Sequence, residues 1–271
     1  MPRGIGEHTK EKLRIIGLYL PVYLQATKRA LERVYIDAFA GPGRNRVKTT
    51  GEIVDGSPFI ALQAIAQNGT VFDKYYFIEL DPDIAGELEG AIQNLSPKPA
   101  VEVICGDVNV ELPKLMGRIR RRSPTFVLLD TEGIEPAWTT IEALAPWQTE
   151  LLINFPLGMG IKRNTRSEKV TRYFGTEEWR QVWQGSHPGE AKGLIDLYKS
   201  RLRALGWKHP SALDRPIRTT GGQNLYYLIH VSKVEAAKSI MDWVAKQPDS
   251  TGQARMGLVF DDAEPGDPND G

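Results

Sequence analysis

The sequence is poor in the residues that build metal centres and covalent frameworks. A single cysteine, Cys105, stands among 271 residues, which excludes an internal disulfide framework and a cysteine-rich zinc site. The four histidines, His8, His187, His209 and His230, are scattered, and no two have metal-ligand spacing. An excess of one charge is also missing: 34 Lys+Arg balance 34 Asp+Glu. No global basic field therefore draws nucleic acid, and only a local patch could. Long apolar runs are absent. The longest nearly apolar stretch, Leu151 to Ile161, is broken by Asn154 and Pro156 and is too short to span a bilayer. The start of the chain has no apolar signal core and carries Lys10, Glu11 and Lys12. The expectation is a soluble cytoplasmic protein with no membrane contact.

What is present is enough apolar material, 41% of residues, for a full core. The length suits one large domain or a domain with an insertion. From about His8 to Arg33, Leu13, Ile16, Leu20, Leu24 and Leu31 fall near one helical face, with Pro21 expected to kink or divide the helix. Val34 to Phe39 is a β-rich run ending in Ala40-Gly41-Pro42-Gly43, and the polar segment Arg44 to Gly56 reads as a loop. Ser57-Pro58 opens a helix. Strands at 74–78, 101–105, 125–129 and 151–153 then alternate with helices at 84–94, 109–121 and 138–144. Short apolar strands alternating with helices imply a parallel sheet buried on both faces. Beyond Gly160 the pattern changes. Lys162 to Trp183 carries six basic residues, with Tyr173, Phe174, Trp179 and Trp183 interleaved. A helix over 194–205, a strand over 224–232 and a helix over 236–246 follow. The expected organisation is an N-terminal helical segment (1–33), a Rossmann-like core (34–161), an α-helical cap insertion (162–205), C-terminal strands and helix completing the core (206–260) and an acidic disordered tail (261–271).

The chemistry is concentrated at the ends of strands. Asp37-Ala38-Phe39-Ala40-Gly41-Pro42-Gly43 directly follows the first strand, where glycines let backbone turn sharply and approach a ligand. The dinucleotide fingerprint is not met, because the loop 44–56 replaces the third glycine that opens the helix. That argues against a nicotinamide dehydrogenase. A phosphate-binding G-x-x-x-x-G-K-[ST] is absent as well. Acids recur at successive strand ends: Asp37, then Glu79 and Asp81, then Asp107, then Asp130 and Glu132. Carboxylates along one sheet edge repel one another unless a ligand rich in hydroxyl and amine donors compensates them. Each also has a plainer reading as a solvated strand end, a turn former or a helix cap.

Asp37-x-Phe39-x-Gly41-x-Gly43, Glu79 and Asp107 resemble motifs of class I S-adenosylmethionine-dependent methyltransferases. More narrowly, the chain resembles the three-Cys-motif partner protein family. That resemblance spans most of the chain. It rests on Tyr35-Ile36-Asp37-Ala38-Phe39-Ala40-Gly41-Pro42-Gly43, Gly56-Ser57-Pro58, Phe77-Ile78-Glu79-Leu80-Asp81, Ile153-Asn154-Phe155-Pro156 and Leu225-Tyr226-Tyr227-Leu228. It implies a Rossmann-like methyltransferase fold, S-adenosyl-L-methionine as cofactor, and a cysteine-motif protein as partner. It also implies roles. Gly41 and Gly43 would let backbone pass close to the methionine part, and Asp37 would accept from its amino group, directly or through water. Glu79 would take the ribose hydroxyls, helped by Asp81, and Asp107 the adenine amine, while Phe39 packs under the loop. Asp130 and Glu132 would orient or deprotonate a methyl acceptor. Amino-directed nucleic-acid methyltransferases carry an Asn or Asp, Pro-Pro and an aromatic at the fourth strand end; here Asp130-Thr131-Glu132-Gly133 stands instead. Asn154-Phe155-Pro156 looks similar to that motif but follows the fifth strand, so the role is not transferred to it. The segment 162–183 is the candidate nucleic-acid surface, with the plainer reading that its aromatics anchor an insertion to the core. Trp138 has the same two readings. A non-catalytic, cofactor- or nucleotide-binding subunit is the alternative to an enzyme.

Overall fold

The computed structural model describes residues 3–96, 98–131, 133–183, 190–211, 215–218 and 224–247. The expected tail, 261–271, and Glu132 lie outside the described residues. The chain opens with a short strand, β1 (Arg3–Ile5), and a long helix, α1 (Glu7–Ala26). α1 runs through Pro21 as one element but ends seven residues earlier than the apolar pattern suggested. The Thr27 amide and hydroxyl turn back onto the Tyr23 carbonyl, and the Arg33 guanidinium caps the Thr27, Lys28 and Ala30 carbonyls. Leu31, assigned by periodicity to the buried face, is 92% exposed beyond that stop.

The segment expected to be a plain loop is ordered into β3 (Arg44–Val47) and β4 (Ile53–Asp55), an antiparallel hairpin against which β1 pairs in parallel. Gly51, at φ +72°, donates its N–H to the Val47 carbonyl and closes the turn. Alternation over so few residues is too short to read as strand, and the partner β1 is forty residues away in sequence.

The main sheet contains β2 (Val34–Asp37), β5 (Lys74–Glu79), β6 (Val101–Cys105), β7 (Thr125–Leu129), β8 (Thr149–Phe155), β9 (His209–Pro210), β10 (Arg215–Arg218) and β11 (Asn224–Ser232). Its order is β6-β5-β2-β7-β8-β11-β10, with β9 on β11. β6, β5, β2, β7 and β8 are parallel; β11 runs against β8 and against β10. This is the 3-2-1-4-5-6 order of a doubly wound sheet with one reversed strand inserted before the last. The expected Rossmann-like α/β fold is therefore correct, and its switch point lies between β2 and β7.

Alternate residues feed two cores, as the pleat requires. On one face Ile36, Val127, Leu129, Leu151 and Ile153 meet α4 (Val108–Met116), α5 (Trp138–Leu144), α6 (Glu168–Phe174), α7 (Trp179–Val182) and α8 (Glu190–Ala204). On the other, Tyr35, Phe126, Leu128 and Leu152 meet α1, α2 (Ser57–Gln63), α3 (Pro82–Gln93) and α9 (Glu235–Lys246). The buried apolar residues of α6 to α8 belong to the first core. Tyr173, Phe174 and Trp179 are buried, and the Tyr173 ring stacks on Tyr198 with centroids 5.0 Å apart. Trp138 is also internal, edge-on to Tyr198 and under the Arg201 guanidinium. The plainer reading holds for these four rings, and Trp183 is partly buried against the same core. Lys162, Arg163, Arg166, Lys169, Arg172 and Arg180 remain exposed around them. Among the described residues no helix is long and apolar enough to cross a membrane, and no group of three or more His, Cys, Asp or Glu could hold a metal.

Candidate functional site

A cavity of about 220 Å³ opens where β2, β7 and β8 end, at the switch point of the sheet. After β2 the chain contributes Phe39 and Gly41, and after β7 Asp130 and Thr131; from β8 and just beyond come Asn154 and Pro156. β1 and α1 form the opposite wall through Ile5, Thr9, Lys12 and Leu13, and Tyr226 of β11 and Ser57 of α2 complete it.

The glycine turn is held by backbone and carboxylate together. Gly41 sits at φ +64°, and a Cβ there would meet nothing within 4 Å, so the turn presents bare backbone to open space. Its N–H donates to Glu79 Oε2 at 2.9 Å. Gly43, at φ +79°, is packed on the side where Gly41 is open. A Cβ on it would lie 2.6 Å from the Phe59 ring and 2.8 Å from Leu88, so it seats the turn on α2 and α3. Gly43 is not part of the cavity wall. The Gly56 N–H donates to the Gly43 carbonyl, which closes the hairpin and delivers Ser57 to the cavity.

The acids divide. Asp37 is fully buried beneath the wall rather than on it; Oδ1 accepts from the Phe39 N–H at 3.2 Å, and Oδ2 has no partner of good geometry among the described residues. Burial pushes its carboxyl up to about 7, and the nearby Asp130 adds to this; the Ser57 hydroxyl, the Phe39 N–H and the Lys12 ammonium pull the other way. Glu79 spends one oxygen on Gly41 and the other on the Asp81 N–H. Asp81 and Asp107 are exposed and cap α3 and α4, accepting from Asp83 and Ile84, and from Asn109, through Oδ1. The mutual repulsion expected of these carboxylates is therefore already offset by backbone donors. Oδ2 of Asp81 and of Asp107 still accepts nothing among the described residues. Leu80 and Val110, next to Glu79 and close after Asp107, are exposed apolar side chains on the same edge.

On the cavity wall Asp130 is paired with the almost fully buried Lys12 ammonium through Oδ2. Its Oδ1 accepts from the Asn154 amide at 3.1 Å, and that amide also donates to the Thr131 carbonyl at 3.0 Å. Sequence reasoning singled out Asp130 but not Lys12 or Tyr226, and set Asn154 aside because of its strand. β8 lies directly beside β7, so adjacent strand ends share the site. A signal for Lys12 was available: it stands four residues before Ile16, which is followed by Leu20 and Leu24, on the buried row of α1.

No family model matches the chain, and no curated protein does. Solved structures do match. LPL1258 from Legionella pneumophila, of the family-model DUF519, has a TM-score of 0.53 at 13% identity, covering 88% of this chain and 92% of that one. Trm1 from Pyrococcus horikoshii, solved with S-adenosyl-L-methionine, has a TM-score of 0.47 at 13% identity over 94% of this chain and 64% of that one. SMU.1697c from Streptococcus mutans, solved with SAH, has a TM-score of 0.39 at 13% identity over 79% and 98%. At such identities the likeness is one of fold.

Proposed function

We propose that this chain is an S-adenosylmethionine-dependent methyltransferase whose cofactor lies across the ends of β2, β5 and β6, with its methyl group directed to the cavity beside β7 and β8. The observation that supports this most is the Gly41 turn, bare, left-handed and facing open space at the sheet's switch point. When bound, the cofactor supplies a methyl group on a sulfonium, and the protein contributes alignment and electrostatics. Gly41 lets the backbone come close, and Glu79 fixes the turn while keeping lone pairs for ribose hydroxyls. The free Oδ2 atoms of Asp81 and Asp107 offer acceptors along the adenosine edge, where Leu80 and Val110 offer apolar contact. Asp37 acts as a positioning residue, through the Phe39 backbone and Ser57. Asp130 orients the acceptor; Glu132 has the role the resemblance implies and lies outside the described residues.

The finer assignment to the three-Cys-motif partner proteins rests on the sequence resemblance, with a cysteine-motif protein as partner. Nucleic acid as substrate is supported by the exposed cations Lys162, Arg163, Arg166, Lys169 and Arg172, which begin six residues after Pro156 of the cavity wall. They would hold phosphates, while the aromatics between them serve the core.

One observation favours a non-catalytic binding subunit instead: both Asp130 oxygens are engaged, one by Lys12 and one by Asn154. Calorimetry with S-adenosylhomocysteine tests the cofactor assignment. Binding in the micromolar range is expected, and folded protein with no heat change at high micromolar ligand would end it. Labelled cofactor supplied with RNA, DNA, cell protein and the cysteine-motif partner separates the two readings. Label transfer that is lost in Asp37→Ala marks the enzyme, and cofactor binding without transfer marks the subunit.

A further inference from the structure

A second cavity lies at the opposite end of the sheet from the glycine turn. Its volume is about 440 Å³, within the range of small-molecule sites. The end of α1 supplies Tyr19 and Tyr23, the start of α9 supplies Ala237 and Ile240, and Pro124 and Gln148 close it where β7 and β8 begin.

The floor is Glu150, a buried carboxylate. Oε1 faces the Tyr19 hydroxyl and His230 Nε2, and Oε2 accepts from the Ser232 hydroxyl at 3.2 Å. A carboxylate accepts about four hydrogen bonds, so one place on Oε2 is open. His230 is its one ion-pair partner among the described residues. Gln148 stands two residues before Glu150 and therefore on the same face of the chain. The Gln148 side-chain amide and the Tyr23 hydroxyl make no hydrogen bond among the described residues. The floor thus wants a donor at Glu150 and offers both donor and acceptor beside it. The rings of Tyr19 and Tyr23, with centroids 6.3 Å apart, give an aromatic wall.

The mouth carries positive charge. Arg29 is exposed on the wall and has no hydrogen bond or ion pair among the described residues. Arg122, equally free among them, is two residues before Pro124, and the Arg121 carbonyl accepts from the Gln148 N–H at 2.8 Å. Of the described acids next to these segments, Glu32 is engaged by Lys74 and Ser123, and Glu235 stands on the α9 side. A simple amine would suit the floor and be repelled at the mouth; a simple anion would meet the reverse. A flat group with an N–H donor at one end and an anion at the other suits both.

We propose that this cavity is a second binding site, for a nucleotide whose base carries an exocyclic amino group. The amine donates to Glu150, the ring lies against Tyr19 and Tyr23, and the phosphate meets Arg29 and Arg122. A free nucleoside monophosphate and the phosphorylated end of an RNA chain share this chemistry. The cavity has no wall residue in common with the one at the switch point, and the inference does not rest on the methyltransferase reading.

The experiment titrates 5′-AMP into the full chain with S-adenosylhomocysteine present, read by amide chemical shifts and calorimetry. The amides of Tyr19, Tyr23, Glu150 and Ala237 should move while those of Gly41 and Glu79 stay. Adenosine, without the phosphate, and purine riboside 5′-monophosphate, without the amine, should each bind about tenfold more weakly, the worth of one lost hydrogen bond. Arg29→Glu should lower AMP affinity by roughly tenfold or more and leave adenosine affinity unchanged. Ala26→Trp, at an exposed position on the wall, should block both ligands, and thermal melting checks that both variants fold. Tighter binding of a 5′-phosphorylated oligoadenylate than of AMP identifies a chain end as the ligand, and the reverse identifies a free nucleotide. Shifts confined to Gly41, Glu79 and their neighbours overturn the proposal. So do equal affinities for AMP and either analogue, AMP affinity indifferent to Arg29→Glu, and no response at about 1 mM AMP.

Discussion

At the scale of single residues, Asp37 sets a testable pH signature. Its carboxyl is raised from an ordinary 3.8 to about 7 in the folded protein. Between those values the native state holds a proton that the unfolded chain releases, so this group lowers stability as pH rises from about 4 to about 7, and the loss levels off above that. The lift corresponds to roughly 4 kcal/mol as an upper bound. Asp37→Asn, which removes the titration, should therefore stabilise the protein at pH 8 and lose that advantage by pH 4–5. Urea denaturation at the two pH values measures it, and equal differences at both would remove Asp37 as the titrating group. The two glycines of the turn should separate cleanly. Gly43→Ala meets both a left-handed φ and the Phe59 ring and should cost about 2–4 kcal/mol. Gly41→Ala meets only the φ penalty, about 1 kcal/mol, and should instead weaken cofactor binding, as denaturation and calorimetry together would record. The sequence shows both glycines equally. It does not show which way each faces, because that depends on α2 and α3 packing from elsewhere in the chain.

At the scale of elements, strand and helix positions in the core were largely readable, since β6, β7 and α5 stand where apolar pattern and turn residues placed them. The hairpin of β3 and β4 was not, because its order comes from β1 and from the Gly43–Gly56 backbone bond rather than from local alternation. The acids at strand ends were legible as residues but not as partners. Whether an aspartate caps a helix or faces a ligand is decided by where the helix begins, and Asp81 and Asp107 do the first with one oxygen. The aromatic segment was ambiguous for a similar reason: period alone does not say whether a ring faces the sheet or the solvent. Since Trp179 and Tyr198 are fully buried in the core shared with the strands, Trp179→Ala should cost about 3–5 kcal/mol and leave a single unfolding transition. A separate early transition for α6 to α8 would mark the cap as an independent unit.

At the scale of the whole molecule, a second polar cluster ties together elements from the beginning, middle and end of the chain. Glu150 of β8 is buried and accepts from the Tyr19 hydroxyl of α1 and the Ser232 hydroxyl of β11, and His230 Nε2 of β11 lies 3.0 Å from it. Burial first, then Glu150, pushes the Tyr19 phenol far above its ordinary range, so it stays a donor at any working pH. Glu150→Ala strands these partners and should destabilise the fold by about 3–5 kcal/mol, a loss that thermal melting of the variant would register. A change within about 1 kcal/mol would mean that water replaces the carboxylate.

The reversed strand β11 carries a consequence for synthesis. It fills the slot between β8 and β10, brings His230 and Ser232 to Glu150 and supplies the Tyr226 ring. A nascent chain leaving the ribosome therefore exposes the bare edge of β8 until residue 224 and those after it have emerged. A chain that ended before that point would keep the β8 edge unpaired and lack the Tyr226 ring of the cavity wall, and its expected fate is association with its neighbours.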